Sequence, residues 1–321
     1  MAKTINPEDY SIVWLCPLPV ETAAALFMLD EHHEGVVNRQ HGQTVEYHFG
    51  RIGRHNVAIA GFPSGEVGIG KAGTMAEAAV RDFKNLELGL LVGIGAAIPS
   101  QDRDIRLGDV AVADPTGNYP GIISYDMAKV VPGEERPKQW MEATHPLWRS
   151  VISKIRARTA VQGDAFHRHL KIFETSKGKQ FRQPYDPPPL HAAFENKSRD
   201  AEGPVVYYGT MLSGNKVIKA IEFRDQLKER FGDPVALEME AAGVMTTLPV
   251  AVVRGISDAA DHHKNDEWHA RAAAVAAAYA KEMLLQLSPK PTLSKYPIFI
   301  RIAAPEYTTT QTGASDKGFD F

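Results

Sequence analysis

Apolar residues along this chain come in short runs that alternate between two spacings. Residues 11–15, 44–49 and 56–60 read as β runs, with a turn at 50–53 that suits a hairpin between the second and third. Residues 88–92 are continuously apolar, the pattern of a strand buried on both faces of a parallel sheet. Residues 20–29 follow the break Pro17-Leu18-Pro19 and read as a helix rich in Ala and Leu, and residues 70–83 carry Ala and Met at helical spacing. Further strands are expected at 110–113, 205–209, 235–237 and 250–253, and helices at 216–230, 240–247 and 266–287, the last rich in Ala. Strands alternating with helices predict a three-layer α/β/α domain with a mostly parallel central sheet, whose ligands gather at the carboxyl ends of strands.

Regularity fades between 130 and about 204. Pro184, Pro187, Pro188 and Pro189 cluster there and only residues 145–159 look helical, so the stretch reads as an insertion or mobile flap. One domain is expected over residues 1–304, with a polar tail at 305–321 that reads as disordered.

Composition narrows the chemistry. With 36 Lys and Arg against 39 Asp and Glu the net charge is −3, which leaves no basic surplus for a nucleic-acid backbone. The single cysteine, Cys16, allows no internal disulfide and no thiolate-rich metal site, and suits a reducing, cytoplasmic setting. The most apolar run, 88–99, is too short and too rich in Gly to span a bilayer, so no membrane partner is expected.

The candidate chemistry sits at strand ends. Residues 65–72 almost match the phosphate-cradling pattern GxxxxGK[ST], but Ala72 has no hydroxyl for a magnesium ion, and a Gly-rich turn lying close to a ligand or to the next strand is the preferred reading over a nucleoside-triphosphatase site. Gly93-Ile94-Gly95-Ala96-Ala97 follows the apolar run at 88–92; such small residues suit close approach of backbone to a ligand or tight packing on a helix. Glu238 and Glu240 flank Met239 where a buried strand becomes a helix, and acidic groups there are costly unless bonded. In an extended segment the two carboxylates point one way and Met239 the other. One of them could accept two adjacent sugar hydroxyls, or both could serve the start of a helix. Residues 251–261 have the same form, delivering Ser257 and Asp258 at a strand end, where Asp258 could also cap a helix. His262 and His263 adjoin Asp261, but neighbouring histidines diverge, so a solvated loop is preferred; neither a metal nor a cofactor is expected.

From about residue 9 to 287, apart from the insertion, these segments together resemble the nucleoside phosphorylase and nucleosidase superfamily. That group contains purine nucleoside phosphorylases and methylthioadenosine/adenosylhomocysteine nucleosidases, and the variant looks like the fungal one often fused to signalling modules. The Glu-Met-Glu-Ala block at 238–241, the Arg-Gly-Ile-Ser-Asp block at 254–258 and the Ala-rich last helix carry the likeness. It implies Asp258 as the general acid that protonates or hydrogen-bonds N7 of a purine, with Ser257 orienting it. It implies Glu240 as acceptor of the ribose 2′- and 3′-hydroxyls, with Met239 beneath the sugar. Val217 and Ile218, after Ser213-Gly214-Asn215, fall where the family holds the base, although the family often has an aromatic residue near Val217 and Asp at the position of Asn215. Glu238, Ile94, Gly95 and Ala96 are placed beside the substrate as well.

Breaking an N-glycosidic bond passes through an oxocarbenium-like sugar, which calls for an acid at the departing base, its pKa raised in a dry strand-end pocket, and negative charge near the ribose. Glu21 falls where nucleosidases carry the carboxylate that activates water. Phosphorylases line that side with Arg and a Ser, whereas Leu91 and Ile94 stand here, and a carboxylate repels phosphate. The likeness therefore points to a hydrolase acting on a purine nucleoside or nucleotide, adenine first. A phosphorylase and a non-catalytic nucleoside sensor are the alternatives. If the 5′ side admits charge, Lys71, Arg103, Arg106 or Lys264 could meet the phosphates of a nucleotide such as ATP; an apolar 5′ side would instead favour adenosine or a thio-nucleoside. Because neighbouring subunits of the superfamily complete the sugar pocket, a homo-oligomer is implied.

Overall fold

The apolar runs become strands of a 12-stranded sheet among the residues described by this computed structural model, which are 5–35, 42–132, 134–137, 141–182, 186–195, 198–199 and 203–289. The strands that position the site are β1 (Ile12–Cys16), β2 (Tyr47–Ile52), β3 (His55–Gly61), β4 (Leu88–Ala97), β5 (Val110–Ala113), β6 (Ile122–Ser124), β7 (Val206–Gly209), β8 (Met211–Ser213), β9 (Ala236–Glu238) and β10 (Val250–Asp258). The expected hairpin is β2–β3, antiparallel, turning at Gly53, whose φ of 56° a glycine adopts without strain. β1 pairs in parallel with β3 and β4, and β10 pairs in parallel with β4 along most of its length. The other edge of β10 takes β5 antiparallel, and β5 takes β7 in parallel.

β4 is shared between two halves of this sheet. One of its edges pairs with β1 as far as Leu91 and with β9, antiparallel, from Ala96 onward. β8 and β6 extend the sheet beyond β9 in parallel. Val92, Gly93, Ile94 and Gly95 thus have no strand against that edge among the described residues. Buried backbone groups at such a fork need other partners, and the site forms there.

Helices cover both faces. On one, α1 (Pro19–Met28), α3 (Pro146–Gln162) and α6 (His269–Gln286) bring Ala24, Met28, Trp148, Ile152, Tyr279 and Met283 into a core with Trp14, Ile59, Leu90 and Val253. On the other, α2 (Ile69–Asp82) and α5 (Ala241–Val244) pack Met75, Ala76, Ala79 and Val244 on Leu15, Leu91 and Val252. A mostly parallel central sheet with helices on both sides is the architecture the alternation of elements predicts. The Ala run of α6 lets it lie directly on the sheet: a Cβ on Gly255 would stand 1.9 Å from the Ala272 carbonyl oxygen.

Several boundaries differ from the expected ones. β4 and β10 run past their apolar stretches at 88–92 and 250–253. The helix expected at 216–230 begins only at Ile221 as α4 (Ile221–Arg230), and the one expected at 240–247 shrinks to α5. β6 and β8 were not anticipated, being three residues long and too short to show a period. Within the stretch read as an insertion, α3 is joined by Phe166, Leu170, Phe173 and Phe181, which are buried in the core beside α1 and α6. The chain divides into two units, residues 1–288 and 289–321. The expected domain end at 304 and the tail at 305–321 lie outside the described residues.

Candidate active site

The loop Pro17-Leu18 ends β1 and opens α1, whose first turn carries Glu21. Glu21 Oε2 accepts the Leu18 N–H at 2.6 Å, closing the first turn, and Oε1 accepts the Ile94 N–H at 2.7 Å, filling the fork in β4. Glu21 is only 3% exposed. Burial raises its pKa to about 7; Arg254 and the two N–H donors counter that shift, while Glu240 adds to it.

β9 ends in Glu238, whose carboxylate accepts the Ala241 N–H at 2.9 Å and the Glu240 N–H at 3.1 Å. Arg254, in the middle of β10 and 1% exposed, donates from Nη2 to Glu238 Oε2 at 2.5 Å and to Glu240 Oε2 at 3.0 Å. Both carboxylates therefore reach one guanidinium. Glu240 Oε1 also accepts the Gly68 N–H at 3.2 Å. Burial pushes the Glu240 pKa up, with Arg254 opposing and Glu238 reinforcing. For Arg254 burial opposes the charge, but Glu238, Glu240 and Glu21 outweigh it and raise its pKa. Gly93 makes room for this arrangement: a Cβ there would stand 2.3 Å from Glu21 Oε1 and 2.6 Å from Arg254 Nη1.

At the end of β10 the register slips, Ile256 lying opposite Gly95 and Asp258 opposite Ala96, so that Ser257 is an extra residue that bends the strand. Ser257 Oγ lies within donating distance of the Gly95 carbonyl, 3.3 Å, and of Asp258 Oδ2, 2.9 Å. Asp258 Oδ1 accepts the Ala260 N–H at 3.0 Å, and Oδ2 accepts Lys264 Nζ at 2.5 Å. His269, at the start of α6, completes this end; burial lowers its pKa.

A cavity of about 240 Å³ opens between these groups. Its walls include Glu21, Ile94, Gly95, Ala96, Val217, Ile218, Glu238, Met239, Glu240 and Ser257, all singled out in the sequence. Ser257, Ala260 and Lys264 line the cavity beside Asp258, which does not itself line it. Lys71 pairs with Glu66, Arg103 with Asp233 and Arg106 with Asp104, and none of these three cations lines the cavity. In the loop at 65–72, residues 65–67 and Gly70 are exposed, whereas the Ile69 N–H donates to Asn215 Oδ1 at 3.0 Å and a Cβ on Gly243 would stand 1.9 Å from the Ile69 carbonyl oxygen.

Sequence reasoning missed Arg254, Tyr125 and His269 in the walls. An arginine inside the apolar run of β10 was a usable signal, since a buried cation requires anionic partners. Tyr125 supplies an aromatic wall where none stands near Val217 in sequence. Among the described residues no group of three or more His, Cys, Asp or Glu is placed to hold a metal ion, and no helix is long and apolar enough to cross a membrane.

The family model described as the phosphorylase superfamily matches residues 11–286. A nucleotide-binding leucine-rich repeat (NLR)-like protein of Hyaloscypha variabilis is 36% identical over 302 residues, which is 89% of this chain and 30% of that protein. The chain therefore spans under a third of that relative. A 5′-methylthioadenosine/S-adenosylhomocysteine nucleosidase of Mycobacterium bovis is 24% identical over 289 residues, covering 86% of this chain and 95% of its own. Two solved structures share the fold. The Neisseria meningitidis 5′-methylthioadenosine/S-adenosylhomocysteine nucleosidase, in complex with methylthio-immucillin-A, has a TM-score of 0.58 at 16% identity over 85% of this chain and 97% of its own. The futalosine hydrolase of Helicobacter pylori has a TM-score of 0.58 at 15% identity over 87% and 98%.

Proposed function

The chain belongs to the phosphorylase superfamily, and on that premise we propose that it hydrolyses the N-glycosidic bond of a purine nucleoside or nucleotide, adenine first, to free base and a ribose moiety. The observation that carries this reading is the buried cluster of Glu21, Glu238, Glu240 and Arg254 at the fork in β4. Glu21, with a pKa near 7, is suited to take a proton from a water molecule at neutral pH. Glu240 keeps lone pairs for the ribose 2′- and 3′-hydroxyls beside its bonds to Arg254 and Gly68. Met239 supports the sugar, and the excess of carboxylates over the one guanidinium stabilises an oxocarbenium-like ribose. Ala96, Tyr125, Val217 and Ile218 hold the base. Asp258, oriented by Ser257, is the acid at the base end.

The same cluster favours water over phosphate as nucleophile. Arg254 is the arginine on this side, and it is already bonded to two carboxylates, while Glu21 would repel an entering anion. Val67 and Val217 wall the cavity yet stay 46% and 61% exposed, which supports closure of this side by a second copy of the chain.

The test is incubation with adenosine, inosine, guanosine, methylthioadenosine, AMP and ATP, each with and without phosphate, with identification of base and sugar products. Free base and a sugar with a C1 hydroxyl in phosphate-free buffer is the expected result. Base released only with phosphate would make the protein a phosphorylase, and no base at all would leave a nucleoside-binding module.

A further inference from the structure

A second cavity, of about 350 Å³, opens beside the first turn of α6. His269 and Arg271 stand two residues apart, about 200° around the helix; His269 lines the catalytic cavity and Arg271 lines this one. Residues 167–182 supply most of the remaining wall, with Leu170 and Phe173 as its apolar part. His167 Nε2 donates to the Pro204 carbonyl at 2.7 Å and fixes another edge.

Arg271 is the unusual member. It is half-buried, with its stem close enough to Gly108 that a Cβ there would stand 3.6 Å from Cγ. Among the described residues no hydrogen bond or ion pair engages its guanidinium. Cations withdrawn from water are ordinarily paired. Its place in the helix adds to the cost, since it is the third residue of 18, at the end where the helix is positive and a cation is disfavoured. Burial lowers its pKa, and the charge of Glu174 opposes that shift without forming an ion pair. Arg182 lines the same cavity, anchored by Nη2 on the Glu174 carbonyl oxygen at 2.6 Å, and its Nε and Nη1 donors have no partner among the described residues. Two guanidinium groups thus face the single carboxylate of Glu174, a surplus of one positive charge among the described residues.

We propose that this cavity binds a phosphate group, free or carried by a small metabolite, with the Arg271 guanidinium as its main partner and Arg182 as its second. A guanidinium presents its N–H donors as a planar fork that matches two oxygens of a phosphate, and the pairing supplies the negative charge that Arg271 lacks. Leu170 and Phe173 leave an apolar side against which the body of a phosphate ester can rest. The site is separate from the cavity at the fork in β4, and the proposal needs no turnover of substrate.

The test is calorimetric titration of the wild type, Arg271→Met, Arg182→Met and Lys264→Met with inorganic phosphate and with glycerol 3-phosphate, at constant ionic strength set by chloride. Lys264→Met removes the partly exposed cation of the catalytic cavity and serves as the control for binding there. The expected result is saturable binding by the wild type that weakens at least about tenfold in Arg271→Met and several-fold in Arg182→Met, with Lys264→Met near wild type. Thermal melts separate binding from folding. Phosphate should raise the Tm of the wild type and leave that of Arg271→Met unmoved, while without phosphate Arg271→Met should melt no lower than the wild type, an unpaired cation at a helix start having been removed. Tighter binding of glycerol 3-phosphate names an ester as the occupant and tighter binding of inorganic phosphate names the free ion; either supports the site. No saturable binding by the wild type would overturn the proposal. So would full binding by Arg271→Met, and loss of binding in Lys264→Met alone would move the phosphate to the catalytic cavity. These readings are taken without substrate, so a failure here leaves the base-release reading standing, and a failure of base release leaves this site standing.

Discussion

Glu21 is held by backbone N–H groups from two separate elements, the start of α1 and the fork of β4. A base must be deprotonated to act, and in Glu21, proposed for that role, burial raises the pKa to about 7. Turnover should therefore rise with pH through about 7 and fall away below it; a kcat that stays flat between about pH 5.5 and 8.5 would remove Glu21 from the role. Glu21→Gln should lower kcat by roughly 10²–10⁴ with the fold intact by circular dichroism. Gly93→Ala should cost more activity than stability, because the added methyl wedges Glu21 from Arg254; paired kcat and thermal-melt measurements check this. Much of this was visible beforehand. Glu238 and Glu240 stood out as charges at the end of an apolar run, and Glu21 through family likeness. The bond between Lys264 and Asp258 was not visible, since it depends on a positive φ at Ala260 that no glycine announces.

Elements here are joined by missing side chains as much as by present ones. α6 rests on β10 where Gly255 leaves no Cβ to meet Ala272, and the α2–α5 contact closes where Gly243 does the same for Ile69. Both opposing atoms are backbone, which has little freedom to yield. Gly255→Ala is expected to destabilise the protein by at least about 1–3 kcal/mol, read as a drop in Tm; an unchanged Tm would mean that the helix can slide. Strands and helices with a clear period were legible in outline, whereas ends were not. β4 and β10 continue beyond their apolar residues because pairing with each other sustains Gly93, Gly95 and Gly255 in extended form. α4 starts late, and residues 214–220 serve the cavity instead through Val217 and Ile218.

At the scale of the molecule, the alternation of strands and helices was enough to give three layers, but not the division of the sheet, which rests on β4 pairing with partners remote in sequence. The proposed second copy belongs to this scale too. Light scattering should give a mass above the 35.2 kDa of one chain, and Val217→Asp, at an exposed site, should lower that mass while leaving the melt near wild type. A monomeric wild type would end that idea. The fork in β4 also ties chemistry to assembly. The Ile94 N–H within its bare stretch holds Glu21 between the pairings with β1 and β9, so under the proposed function a half-built sheet lacks its base. Recovery of the proposed activity during refolding should accordingly lag behind recovery of helix signal.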